Sequence, residues 1–255
     1  VSLDALMSPL GGFAAFIKAG MTVLVNPNLL SARTPDRAVT SHPLLVAAVA
    51  SKCRELGADV LIGDSPGGVE KGLKRVWDNT GMTAAAESTG SKLVGFESGN
   101  IKQVSLDGKS YHLSRYAFEA DFIISIPKLK THVLTLFTGA IKNCYGFIPG
   151  LKKSDYHKSH ARPKSFSNVL VDVFSLVKPG LFIMDGGLVM EGDGPASGQA
   201  RWMGYLFAST DAVAMDSSVA SLLGNSRKKI WPTIIAAERK LGIADLNLIE
   251  RIGPA

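Results

Sequence analysis

The residues of this chain best suited to chemistry crowd into one stretch. Lys128, Lys130, Lys142, Lys152, Lys153, Lys158, Arg162 and Lys164 face a single acid, Asp155, with His132, His157 and His160 among them. Ammonium groups interleaved with Thr131, Thr135 and Thr138 suit a carboxylate or a phosphate. Lys128, Lys130, Thr138 and Asn143 are therefore expected to bind the ligand. His132 is the acid–base candidate, because an imidazole titrates nearest neutrality, and Lys142 is its catalytic partner. Gly139 permits a close backbone approach just before Lys142. His157 and His160, three apart, could form a metal pair on one helical face, although Pro163 and the surrounding lysines favour a flexible basic loop.

Three further segments hold candidates. Gly63–Gly68 reads as a turn between a strand and a helix, and its Asp64 and Ser65 are ligand-binding candidates at a helix N-terminus. It is neither a Walker loop nor G-x-G-x-x-G, and a tight turn needing glycine explains it equally well. Asp185, Glu191 and Asp193, set among glycines after a strand, could ligate a divalent metal through oxygen or orient the lysines, although the EF-hand spacing is missing. Asn28 and His42 fall beyond the end of an early strand, His42 as a helix cap before Pro43. Asp211 and Asp216 read as a helix cap and a polar contact near the site. No G-x-S-x-G elbow is present, and no nucleic-acid motif accompanies Tyr145 and Phe147, so nucleic acid is not an expected partner.

These residues need elements to hold them. Buried-strand runs are expected at Met21–Asn26, Asp59–Gly63, Asp121–Ile126, Leu181–Asp185, Gly204–Ser209 and Leu246–Ile252. Helices are expected at His42–Leu56, Val69–Asn79, Phe166–Val177, Asp211–Leu223 and Pro232–Leu241. Ile101–Ser105 and Tyr111–Ser114 flank Asp107-Gly108, a hairpin signal. Strand, helix, strand in this rhythm predicts an α/β fold: a mixed, mostly parallel sheet with helices on both faces and a small hairpin excursion. Ligands of such sheets bind beyond the carboxyl ends of the strands, where the candidate residues fall. Residues 1–255 read as a single domain; an alternative division sets lobes 1–125 and 165–255 around a cleft, joined by the basic segment 126–164.

Composition narrows the class. The 255 residues are 46% hydrophobic and 20% charged, which excludes a disordered chain. The net charge of +6 asks for an anionic partner, and the Lys128–Lys164 stretch alone exceeds it. No apolar run approaches the roughly 18 residues needed to cross a membrane, and no signal-peptide pattern is visible. Cys53 and Cys144 allow at most one bridge and no iron–sulfur cluster within the chain, so a cytoplasmic location is expected.

Several motifs together resemble a known family. VLVNPNLL (23–30), SHPLL (41–45), IGDSPGG (62–68), IPKLKTHVLTLFTGAIKNCYGFIPG (126–150), IMDGGLVMEGDGPASG (183–198) and ASTDAVAMDS (208–217) are similar to the domain of unknown function 362 family. The resemblance runs from about Gly20 to Ile252. It implies an uncharacterised cytoplasmic protein of bacteria or archaea, in a family whose members often carry a ferredoxin-like iron–sulfur segment; a ferredoxin-like partner would supply the cluster here. A looser similarity is to the nickel-pincer lactate racemases, through the order His132, Gly139, Lys142, Pro149-Gly150, then His157 or His160. That similarity implies acid–base work for His132, cofactor anchoring for Lys142 and nickel ligation for the later histidine. Ala140-Ile141 stand where that family has glycines, and no second Gly-Thr-His occurs. The expected function is binding of a small carboxylate or phosphate at the carboxyl edge of the sheet, in a metal- or cofactor-dependent acid–base or redox enzyme. The alternative is a non-catalytic redox or assembly partner of an iron–sulfur protein.

Overall fold

Runs of consecutive apolar residues make strands buried on both sides, and the computed structural model shows how each side is covered. It describes residues 2–67, 72–97, 101–224 and 230–253; Gly68 of the expected turn and residues 69–71 of the expected helix lie outside them. In chain order, α1 (Leu3–Met7) precedes β1 (Thr22–Pro27), α2 (Pro43–Glu55), β2 (Asp59–Asp64), α3 (Leu73–Thr80), α4 (Met82–Thr89) and β3 (Lys92–Gly95). A hairpin of β4 (Ile101–Leu106) and β5 (Lys109–Ser114), then α5 (Tyr116–Glu119), lead to β6 (Phe122–Ile126), β7 (Lys128–His132) and β8 (Leu136–Thr138). There follow α6 (Ala140–Asn143), α7 (Gly150–Ser159), α8 (Pro163–Val177), β9 (Leu181–Glu191), β10 (Gln199–Ser209), α9 (Ala212–Leu222) and α10 (Trp231–Glu238).

Eight strands form one sheet in the order β3-β2-β1-β6-β9-β7-β8, with β10 also on β9. The pairs β1–β2, β2–β3, β1–β6, β6–β9 and β7–β9 are parallel, while β7–β8 and β9–β10 are antiparallel. Side chains alternate as the pleat requires. Val23, Val25, Ile124, Ile126 and Ile183 join Val46, Val49 and Cys53 of α2 and Met82 of α4 on one face. Leu24, Ile123, Phe182 and Met184 meet α8 and α9 on the other. Phe166, Val169, Leu170, Val173, Phe174 and Val177 form the helical stripe of α8 that seals this second face. Cys53 and Cys144 are therefore free, buried and on opposite sides of the sheet.

The expected α/β class and hairpin are present, with several differences in detail. Lys128–His132, expected as a loop, is a strand, because the chain continues past Pro127 along β9: Ile124 pairs with Leu181, Ser125 with Phe182 and Lys128 with Asp185 in one unbroken register. The acidic glycine-rich segment, also expected as a loop, divides: 185–191 lies in a long β9–β10 ladder that runs from the Phe182/Ser209 pair to the Glu191/Gln199 pair, and 192–198 is the turn that joins the two strands. The basic loop around His157 is helix α7, and Leu246–Leu248 is a 3-10 turn instead of a strand. No helix among the described residues is long and apolar enough to cross a membrane.

The hairpin and α10 are fastened to α8 through one carboxylate. Asp172 accepts hydrogen bonds from Tyr111 and Arg239, and from Lys109 at 3.0 Å. Burial alone would raise its carboxyl, but these donors hold it below its ordinary value. Asp172→Ala would strand the buried Tyr111 hydroxyl, so we expect a loss of about 2–4 kcal/mol in denaturant unfolding, against about 1 for Tyr111→Phe.

Candidate functional site

β1 has β2 on one side and β6 on the other, so the order of strands reverses there. A crevice beyond the carboxyl ends of β1 and β6 is the expected ligand position. The side chains meeting there are mostly polar, and they are bonded to each other in chains. Asn143, buried, donates its amide to Ser125 Oγ at 2.9 Å and to Asn26 Oδ1 at 3.2 Å. Its own Oδ1 accepts from Asn28 Nδ2 at 3.0 Å, and Asn26 Nδ2 reaches Gly63 O at 2.8 Å. Ser41 Oγ bridges Asn28 N and Ile126 O. These bonds fix β1, β2, β6 and α6 as one floor.

Two lysines rise from β7 onto this floor. Lys128 is fully buried and its Nζ lies 2.7 Å from Asp185 Oδ2, the residue opposite it in the sheet. Asp185 also accepts from His42 N at 2.8 Å and Gly187 N at 3.2 Å, so it orients a lysine, a helix start and a turn together. Burial still pulls Lys128 below its ordinary range, against the attraction of Asp185. Lys130 donates to Asn28 Oδ1 at 2.7 Å and to Val39 O at 2.5 Å and has no carboxylate partner. Burial, then the charge of Lys142, holds its ammonium well below its ordinary value.

Asp64 at the end of β2 accepts from Leu29 N at 2.7 Å through Oδ2, while Oδ1 is buried without a partner. Gly146 packs on it so closely that a Cβ there would sit 2.1 Å from Oδ1. Burial raises the Asp64 carboxyl, opposed first by Lys153. Lys153 reaches in from α7 to the carbonyl of Ser65, and burial lowers its ammonium, opposed by Asp64 and Glu97.

Lys142 stands differently. It is largely enclosed, and no hydrogen bond or ion pair holds its Nζ among the described residues. Burial and the nearby charge of Lys153 bring it down to about 8, with Asp64 the one opposing influence. His132 lies within reach of the same charges. Burial, then Lys142, Lys130 and His157, drive its pKa to about 2, so the ring is neutral. Its Nδ1 accepts from Leu134 N at 3.1 Å, which leaves the proton on Nε2. The expectation that His132 titrates near neutrality therefore fails for the unliganded chain, because burial and the charges of Lys142 and Lys130 oppose a second proton on the ring. Among the described residues four ammonium groups (Lys128, Lys130, Lys142, Lys153) meet three carboxylates: Asp185 on Lys128, Asp64, and Glu97 beside Lys153. Buried hydroxyls of Thr40 and of Thr138, which faces Lys130 across the β7–β8 pair, also lack partners.

The remaining candidates divide. Ser65 is buried, its hydroxyl on Glu97 at 2.9 Å. His42 caps α2 through Nδ1 to Leu44 N at 3.3 Å, and its backbone N–H joins the Asp185 cluster. The metal candidates are not brought together. His157 stacks on Phe166 at 4.4 Å, whereas His160 turns to Ser159 and Tyr156. Glu191 pairs with Arg201 on the surface, Asp193 is exposed, and Asp185 is engaged as described. No group of three or more His, Cys, Asp or Glu is gathered among the described residues. A groove of about 420 Å³ opens elsewhere, between Leu129, Phe137, Val189 and Trp202; it shares Lys130 but not Lys142, His132 or Asp64.

Residues outside the sequence-based site set position the site. Asp216 of α9 accepts from Ala140 N at 2.7 Å and Ile141 N at 3.1 Å, and so holds the short helix that carries Lys142 and Asn143. Gly139 leaves the space for it, since a Cβ would lie 2.3 Å from Asp216 Oδ1. Burial raises Asp216 to about 7, against the two backbone donors. A carboxyl raised on folding favours the protonated chain, so its contribution is fullest below pH about 3.8 and is lost as pH rises through about 7. We expect Asp216→Asn to flatten the fall in stability between pH 4 and 7, read from thermal midpoints across that range.

The comparisons with known proteins agree with this geometry only as far as family. The chain is 36% identical over 240 residues to the thylakoid-associated protein sll1697 of Synechocystis sp., covering 93% of this chain and 74% of that one. The lactate racemase apoprotein of Thermoanaerobacterium thermosaccharolyticum is 14% identical with a TM-score of 0.49, over 76% of this chain and 46% of that one. A Thermotoga maritima protein gives 12% and 0.47, over 93% and 59%. The chain thus spans less than two thirds of either solved chain. Residues 23–221, from β1 into α9, match a single family model. The chain belongs to the family described as Domain of unknown function (DUF362).

Proposed function

We propose that this chain binds a small carboxylate or phosphate at the carboxyl edge of its sheet, with Lys142 as the principal counter-charge. The observation that carries this reading is the largely enclosed Lys142 ammonium with no partner, beside Lys153 and a neutral His132. An enclosed ammonium without a counter-ion is costly, and an anion there would relieve it. Lys142 and Lys153 keep some exposure whereas Lys128, Lys130 and Asp64 do not, so the anion would enter from the α7 side. His132 would donate its Nε2 proton as a hydrogen bond and would gain basicity once the anion offsets the neighbouring cations. Asn28, Asn143 and Lys130 would hold the floor. Docking of an acidic iron–sulfur protein on the basic segment has less support, because Lys128, Lys130, Lys142 and Lys153 turn inward. Two buried free cysteines suit a reducing compartment, and the name of the Synechocystis relative suits association with a membrane.

Thermal unfolding with oxalate, lactate, sulfate and inorganic phosphate tests the reading. At least one should raise the midpoint of the wild-type chain, and the response should vanish in Lys142→Met and weaken in Lys153→Met. No stabilisation by any of them, or equal responses in the variants, would overturn it.

A further inference from the structure

We infer that Lys142 is a nucleophile: its Nζ condenses with the carbonyl of a small ketone or aldehyde whose carboxylate or phosphate is seated beside Lys153. The inference rests on the anion-binding reading above and names the substrate class for that site. Three observations converge. First, among the described residues Lys142 alone of the four site lysines has no hydrogen-bond partner, so its nitrogen is not committed to one: Lys128 is on Asp185, Lys130 on Asn28 and Val39, and Lys153 on Ser65. Second, it shares an enclosed site with other cations, the setting that loosens an amine's hold on its proton; burial and Lys153 bring it to about 8, so a fraction of it is free amine at pH 7.5. Third, a neutral imidazole with its proton on Nε2 stands near enough for the Lys142 charge to disfavour its protonation.

The division of labour follows from these placements. With a carbonyl compound Lys153 takes over as the counter-charge for the anion, and Lys142, which serves simple anions in that role, is left to add to the carbonyl. The Lys142 lone pair adds to the carbonyl carbon, and the carbon–oxygen π pair moves onto oxygen, where the His132 N–H meets the developing charge. One amine proton passes to that oxygen to give the carbinolamine, the second follows as the carbon–oxygen bond breaks, and water leaves with both as the carbon–nitrogen double bond forms. Nothing is oxidised or reduced, and no co-reactant is needed. Asp216 acts through the backbone of α6 and is a positioning residue.

The test is trapping with cyanoborohydride. Wild-type protein is incubated at pH 7.5 with pyruvate or with dihydroxyacetone phosphate, reduced, digested and mapped by mass spectrometry. The expected result is an adduct on Lys142 in preference to surface lysines, suppressed at least fivefold by excess oxalate or phosphate, which carry no ketone or aldehyde. Lys142→Arg should lose the adduct, whereas Lys158→Arg, an exposed lysine of α7 outside the site, should keep both the adduct and the anion-induced stabilisation. Pyruvate against dihydroxyacetone phosphate tells whether the seated group is a carboxylate or a phosphate. Stabilisation by anions with no preferred adduct at Lys142 would overturn the nucleophile and leave the anion site standing. Absence of both would overturn the two together.

Discussion

Lys142→Met is expected to raise the stability of the unliganded chain at pH 7 while abolishing its response to anions. Few substitutions at a binding site do both. The folded chain holds Lys142 at about 8 against an ordinary 10.5, so folding at pH 7 carries a protonated group that the folded site disfavours. The sign follows from linkage: a lysine depressed on folding contributes most above pH about 10.5, and that contribution is lost as pH falls through about 8. The full difference corresponds to about 3 kcal/mol, and some exposure of the side chain reduces it, so we expect a gain of about 1–3 kcal/mol. Methionine matches the length without the charge. Wild-type stability should climb between pH 8 and 10.5, and the variant should be flatter across that window, as read from urea midpoints at fixed ionic strength.

Lys128→Met should do the reverse, destabilising the chain by about 3–5 kcal/mol. Its ammonium lies 2.7 Å from Asp185 with both groups almost completely buried, so removing the lysine leaves a carboxylate with only the N–H groups of His42 and Gly187. The double variant Lys128→Met with Asp185→Asn should recover much of the loss, since no buried charge remains and the asparagine oxygen can still accept from the nearer donor, His42 N–H. The contrast between the two lysines is the physical core of the account. One is structural because it is paired, and the other is available because it is not. Equal effects of the two substitutions on stability, measured in one denaturant series, would contradict that division.

Much of this was legible in the residues. Buried-strand runs such as Val23–Val25 and Phe122–Ile126 and the stripe of α8 are strong local signals, and they set the parallel half of the sheet. The second half was not legible, for identifiable reasons. Pro127 reads as a strand end, yet the β6 register carries through it to Lys128 because β9 continues alongside. Gly186, Gly187, Gly192 and Gly194 read as a loop, but their backbone lies in or beside the β9–β10 hairpin, whose ladder needs little from side chains. The candidate list gathered Asn28, Asp64, Lys128, Lys130, His132, Lys142 and Asn143, which the fold does bring together. It also separated Glu191, Asp193 and His160 from them, since spacing in sequence says nothing about which face of a ladder or helix a side chain takes. Asp216 was read as a polar contact; that it supports α6 rather than its own helix is a tertiary fact. The charge of the segment misled in one respect, because half of its cations point inward.

The most direct measurement is calorimetric titration of the wild-type chain at pH 8 with oxalate, and with sulfate in parallel, in buffers of different ionisation enthalpy. Both anions are fully ionised there, so any proton taken up comes to the protein. Lys142, half protonated near pH 8, should take up about half a proton as the anion raises its affinity for it, and Lys142→Met should show none. Binding without proton uptake, uptake unchanged in the variant, or no binding of either anion would contradict the account.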